Sequence, residues 1–228
     1  MSLILAFLLL QVRAPALLTA SDLEHFDSPE PDHRIPYGND PLQFGELRLP
    51  DGKGPHPVAI LIHGGCWLSR YDIAHSRKLS AAFTGIGLAT WSLEYRRVGN
   101  EGGGWPGTLL DVAAGADHLR SLSKAYPLDL DRVLAVGHSA GGHLALWLAA
   151  RRQILDREPF RTEREPLVPQ AVLALAPAPD LAYLQEQQVC DGVVEKLLGG
   201  SPAAYPERYR MTSPVELVPL NVKQILVV

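Results

Sequence analysis

Short apolar runs punctuated by glycine and proline recur along the chain, and their period shifts from alternating to nearly continuous. Phe44-Gly-Glu-Leu-Arg-Leu49 alternates as a half-buried strand does, and the Asp51-Gly-Lys-Gly-Pro55 cluster behind it predicts a turn. Pro57-Val-Ala-Ile-Leu-Ile62 is apolar throughout and partly β-branched, which suits a strand covered on both faces. Residues 88–95, 133–136, 171–176 and 224–228 read as further strands. Between them, residues 74–83 predict a helix. Leu109, Val112, Ala113, Ala116, Leu119 and Leu122 recur at helical spacing and predict one amphipathic helix over about 108–126, limited by Pro127. A third, apolar helix should follow residue 139 and end near Arg151-Arg152. Short helical pieces are expected from Asp180 to Leu198.

Repeated strand–helix units with near-continuous apolar strands imply an α/β fold, a mostly parallel sheet flanked by helices on both faces. At 228 residues the chain fits one such domain, expected over residues 21–228, without internal repeat or second domain. Residues 21–41, rich in Pro, Asp, Glu and His, read as a surface segment leading into it. The Met1–Leu10 apolar run is too short to span a bilayer, so no integral membrane span is expected. With Leu18-Thr-Ala20 as a small-residue cleavage site, residues 1–20 fit a signal peptide and a secreted or periplasmic protein. The absence of Lys or Arg before the run fits a misassigned start or a buried apolar segment equally well.

A net charge of −4 and scattered basic residues leave no basic stripe, which excludes nucleic acid as an expected partner. Cys66 and Cys190 can form at most one bridge, and their spacing does not resemble a metal site.

Chemistry concentrates at Gly137-His138-Ser139-Ala140-Gly141, a G-x-S-x-G run between a predicted buried strand and a predicted helix. Glycines at 137 and 141 permit a sharp turn that raises the Ser139 hydroxyl above the sheet. The free N–H groups opening the next helix favour developing negative charge, with the Ala140 N–H as first donor. His63-Gly64-Gly65-Cys66-Trp67 follows an earlier buried strand, where backbone N–H groups could supply further donors.

Together with Ile35-Pro-Tyr-Gly-Asn-Asp-Pro41, Glu94-Tyr-Arg96, Gly142-His143 and Ser213-Pro-Val215, these motifs make the chain resemble the α/β-hydrolase superfamily over residues 35–228. The resemblance is to its esterase/lipase and kynurenine-formamidase-like branch. It implies hydrolysis of a small-molecule carboxylic ester or amide through an acyl-serine on Ser139, with no metal and no organic cofactor. It further implies oxyanion donors on Gly64, Gly65 and Ala140, and Trp67 bordering the acyl or alcohol pocket. An aryl formamide is the alternative substrate. Cys66 has no paired histidine and reads as a small pocket-lining residue.

In this fold the acid and then the histidine follow the serine along the chain. Only His143 follows Ser139, four residues on in the same helix, where packing is its expected role. His25, His33, His56, His63, His75, His118 and His138 all precede Ser139, and none is assigned as base. Asp180, just past the 171–176 strand, is a weak candidate for the acid and fits better as a helix cap. The resemblance implies that acid and base lie beyond the 224–228 strand, so the chain reads as a C-terminally truncated member. A catalytically incompetent fragment or binding module is the competing expectation.

Overall fold

All six apolar runs read as strands join one sheet in the computed structural model, which describes residues 28–228. The strands are β1 (His33–Pro36), β2 (Phe44–Arg48), β3 (His56–Ile62), β4 (Ala89–Leu93), β5 (Leu128–His138), β6 (Ala171–Leu175) and β7 (Lys223–Val227). Their order is β1-β2-β4-β3-β5-β6-β7. β1 pairs antiparallel with β2 and β2 with β4, while β4, β3, β5, β6 and β7 are mutually parallel. The expected mostly parallel α/β sheet is therefore present. The possible signal segment, residues 1–20, lies outside the described residues.

The uninterrupted apolar run of β3 hides a period of two. Val58, Ile60 and Ile62 face the larger core, and Ala59 and Leu61 face a smaller one with Val136. Two helices cover the larger core, α2 (Gly107–Asp117) and α4 (Ala140–Ala150), and Trp91 and Trp147 fill it. α1 (Ala74–Gly85) covers the smaller core with Phe83. There β4 contributes Thr90, whose hydroxyl meets Ser80 Oγ at 2.7 Å. Burying a polar pair is tolerable because each satisfies the other.

Four expectations need correction. β2 is buried along its whole length rather than half-buried, because it lies between β1 and β4 beneath α1. Its charged Glu46 is only 2% exposed and survives there by accepting two hydrogen bonds from Arg77 of α1, at 2.6 and 3.0 Å. The leading segment includes a strand, β1. The predicted 108–126 helix is broken: α2 ends at Asp117, and a single turn, α3 (Leu119–Leu122), follows His118. β5 also begins earlier than its apolar pattern suggests. Leu128 and Asp129 pair with His56 and Pro57, then residues 130–132 loop out before Val133 meets Val58.

After β6 come α5 (Leu181–Glu186), α6 (Val193–Leu198) and α7 (Pro206–Thr212), then β7 on the outer edge with its residues exposed. Among the described residues no helix is long and apolar enough to cross a membrane. The loops leaving the carboxyl ends of β3 and β5 lie side by side. That crevice is where open α/β sheets bind ligands.

Candidate active site

β5 runs into α4 through Ser139, whose backbone sits at φ 55°, ψ −117°. A non-glycine residue there is strained and persists only where its surroundings dictate it. The surroundings are backbone pressed on backbone. A Cβ on Gly137 would lie 2.1 Å from the Gly141 carbonyl oxygen, and one on Gly141 would lie 2.0 Å from that of Ile62. The Ser139 N–H donates to Leu175 O at 2.9 Å, and its carbonyl accepts from the His143 N–H at 3.0 Å. Strand β6 and helix α4 thus grip the turn from both sides. Ser139 itself is half-buried, at the mouth of the crevice.

The loop after β3 comes up against this elbow. A Cβ on Gly64 would lie 2.6 Å from His138 O, so only glycine allows so close an approach. Gly65, Cys66 and Trp67 then follow at φ 108°, 51° and 53°, three left-handed residues in succession. On the far side the loop is fastened to the segment after β4: Val98 N–H donates to Trp67 O at 2.8 Å and Ser69 N–H to Val98 O at 2.9 Å. Trp67, expected to border a pocket, is only 3% exposed, and its indole packs edge-on against His143. Cys66 does not present a free thiol to the site. It forms a disulfide with Cys190, between α5 and α6.

Beneath the loop lies a buried charged cluster. Arg97 Nη1 pairs with Glu94 Oε1 and donates to His63 Nε2 at 3.0 Å. Glu94 also accepts from the Ile73 and Tyr95 N–H groups, both at 3.0 Å. His63 Nδ1 is 2.8 Å from Gly64 O, which can only accept, so Nδ1 carries the proton and Nε2 receives Arg97. Burial, with Arg97 adding repulsion, pushes the His63 pKa down to about 4, against the raising effect of the Gly64 hydrogen bond. His63 is therefore neutral near pH 7. The Tyr95 hydroxyl donates to His63 O at 2.7 Å and closes the cluster.

The structure brings Ser139, Ala140, Gly64, Gly65 and Trp67 into one place and leaves other residues apart. Asp180 caps α5, accepting from the Tyr183 N–H at 3.0 Å. His143 is wholly buried and bound at both ring nitrogens, so it offers nothing to Ser139. His138 is exposed and meets His75 edge to face, with ring centroids 6.0 Å apart. Among the described residues no histidine hydrogen-bonds the Ser139 hydroxyl, and no group of three or more His, Cys, Asp or Glu could hold a metal. Arg97 and Cys190 were not foreseen as neighbours of the site. Adjacent charges at the end of a buried strand, Glu94 to Arg97, were the available signal for the first.

A family model, BD-FAE, matches residues 46–228. The chain belongs to the BD-FAE family. Among curated relatives, this BD-FAE chain is 29% identical over 122 residues to a probable isoprenylcysteine alpha-carbonyl methylesterase of Arabidopsis thaliana, covering 53% of this chain and 25% of that one. It is 23% identical over 200 residues to esterase LipC of Mycobacterium tuberculosis, covering 86% and 49%. The chain thus spans a quarter to a half of the length of these relatives. Among solved structures, esterase B of Lactobacillus rhamnosis superposes with a TM-score of 0.72 at 24% identity, covering 88% of this chain and 67% of that one. That likeness shows an α/β-hydrolase fold for the BD-FAE region.

Proposed function

We propose that this BD-FAE chain hydrolyses a small carboxylic ester through an acyl-serine on Ser139. The observation that carries the reading is the contact of Gly64 with the His138 carbonyl, a glycine-rich loop lying against the strained turn at Ser139, which supports reading its N–H groups as oxyanion donors. Ser139 Oγ attacks the ester carbonyl, and the carbonyl electron pair moves onto oxygen. The oxyanion rests against the N–H groups of Ala140, Gly64 and Gly65, which are oriented before substrate arrives. Collapse breaks the C–O bond and expels the alcohol, which leaves carrying the proton given up by the Ser139 hydroxyl; water then adds to the acyl-serine, its oxygen leaving with the acid and one of its protons restoring the serine hydroxyl. The names of the curated relatives, a methylesterase and an esterase, agree with ester chemistry.

A second reading has an observation of its own, since no described histidine reaches Ser139. Without a base the hydroxyl is a weak nucleophile, and an oxyanion hole leaves only residual catalysis over water. On that reading the chain binds esters without turning them over. Incubation with a fluorophosphonate probe, a short p-nitrophenyl ester and an aryl formamide separates the possibilities. Labelling at Ser139 with repeated ester turnover, both lost in Ser139→Ala, is the expected result. Turnover that survives Ser139→Ala would discard the assigned nucleophile, and preferential formamide turnover would move the substrate class. Neither labelling nor turnover would leave the binding reading.

A further inference from the structure

The Cys66–Cys190 bond joins residues 124 positions apart, and each partner lies in a strained run. On one side Gly65, Cys66 and Trp67 are left-handed; on the other Cys190, Asp191 and Gly192 sit at φ 53°, 58° and 66°. Such backbone persists only when other contacts over-determine it. The first run is well held at its far end, where Trp67 and Ser69 bond to Val98 and the Trp67 indole bonds to His143. Across Cys66 the turn is closed by the Leu68 N–H donating to Gly65 O at 2.9 Å, and the side chain is tied by the disulfide. The second run lies between α5 and α6, each of six residues, too short to be stable without tertiary support. Both cysteines are half-buried, within reach of a small reagent.

We propose that Cys66 and Cys190 are positioning residues for the oxyanion loop, and that a dithiol reductant, by opening their bond, turns the site down. One thiolate of the dithiol attacks a sulfur of the pair to form a mixed disulfide, and its second thiolate resolves that bond. The dithiol leaves oxidised to a disulfide, and two electrons and two protons end on Cys66 and Cys190 as thiols. Cys66 is then free to relax toward negative φ. Because Trp67 stays fastened, the displacement falls on residues 64–66, the segment bearing the Gly64 and Gly65 N–H groups. Donors that have lost their aim weaken the transition state more than the bound substrate.

The activity arm rests on the ester-hydrolase reading; the structural arm does not. Hydrogen exchange and p-nitrophenyl ester kinetics would be measured on the full chain oxidised, reduced with dithiothreitol and reoxidised, alongside Cys66→Ser and Cys190→Ser. Expected on reduction are faster exchange confined to residues 64–67 and 188–193, and kcat lower by about tenfold with KM changed less than about threefold. Reoxidation should restore the native chain and not the serine variants. Unchanged exchange at 64–67 would overturn the proposal, as would loosening of the whole sheet, which would make the bond a general staple. So would faster loop exchange with undiminished kcat. If no form turns over ester, the hydrolase reading falls and exchange alone decides the tie. Should the serine variants fail to fold, reduction of the native protein supplies the same readouts.

Discussion

The Trp67 indole N–H donates to Nδ1 of His143 at 3.2 Å, so this histidine must carry its proton on Nε2, which donates to Thr212 O at 2.9 Å. One neutral tautomer thereby links the Gly64–Trp67 loop, the helix behind Ser139 and the end of α7.

That neutrality has a pH signature. Burial pushes the pKa of His143 from 6.5 to about 4, opposed by the Thr212 hydrogen bond, and His63 behaves alike. As pH falls below 6.5 the unfolded chain takes up protons at these two positions that the folded chain refuses, so their contribution to stability declines between 6.5 and 4 and levels off below. Each histidine should remove about 2 kcal/mol by pH 5. Urea midpoints at pH 7 and 5 test this. His143→Gln, which keeps a donor and an acceptor but does not titrate, should lose its own share, about 2 kcal/mol, of the native pH dependence. A native midpoint unchanged between pH 6.5 and 5 would contradict the assignment.

Two glycines should respond oppositely to the same substitution. Gly141→Ala drives a methyl into Ile62 O and should destabilise by about 3 kcal/mol or more, with Ser139 displaced. Gly85→Ala, near the end of α1 with nothing within 4 Å of its added carbon, should stabilise by about 0.5–1 kcal/mol. Thermal melts of the two variants make the comparison. Equal effects would mean that the elbow has slack the structure does not show.

Ser139 is held where glycine would be at ease. Ser139→Gly should therefore raise stability by about 1 kcal/mol while abolishing fluorophosphonate labelling. A destabilised variant would mean that the strain is not stored at this residue.

Arg97 is 2% exposed, and its loss would strand the Glu94 carboxylate. Arg97→Met should cost about 3–5 kcal/mol, and adding Glu94→Gln should recover part of it, since breaking a buried pair is worse than removing both charges. A double-mutant cycle in denaturant measures the difference; simple additivity would show the two charges uncoupled.

The inner strands were readable because β3, β5 and β6 are nearly unbroken apolar runs over residues 57–62, 133–136 and 171–175, as strands covered on both faces tend to be. β1 was not: His33-Arg-Ile-Pro36 has neither the length nor the pattern of a strand and exists by pairing with β2. The break at His118 was equally silent, because Leu119 and Leu122 still face the core across it and keep the helical spacing intact. The elbow was legible through its glycines, each standing where a methyl group would strike backbone. The Cys66–Cys190 pairing was permitted by the cysteine count, but a separation of 124 positions carries no record of which loops the fold brings together.

The distance between the Ser139 turn and the Gly64–Trp67 loop is set by main chain touching main chain, through Gly141 on Ile62 and Gly64 on His138. A spacing fixed in that way is indifferent to nearly every surrounding side chain. Mutation can rewrite pocket walls, helix faces and charge pairs around it while this closest approach holds for as long as the two glycines remain; the role proposed for the Cys66–Cys190 bond concerns the turn of residues 64–66 within that spacing, not the spacing itself.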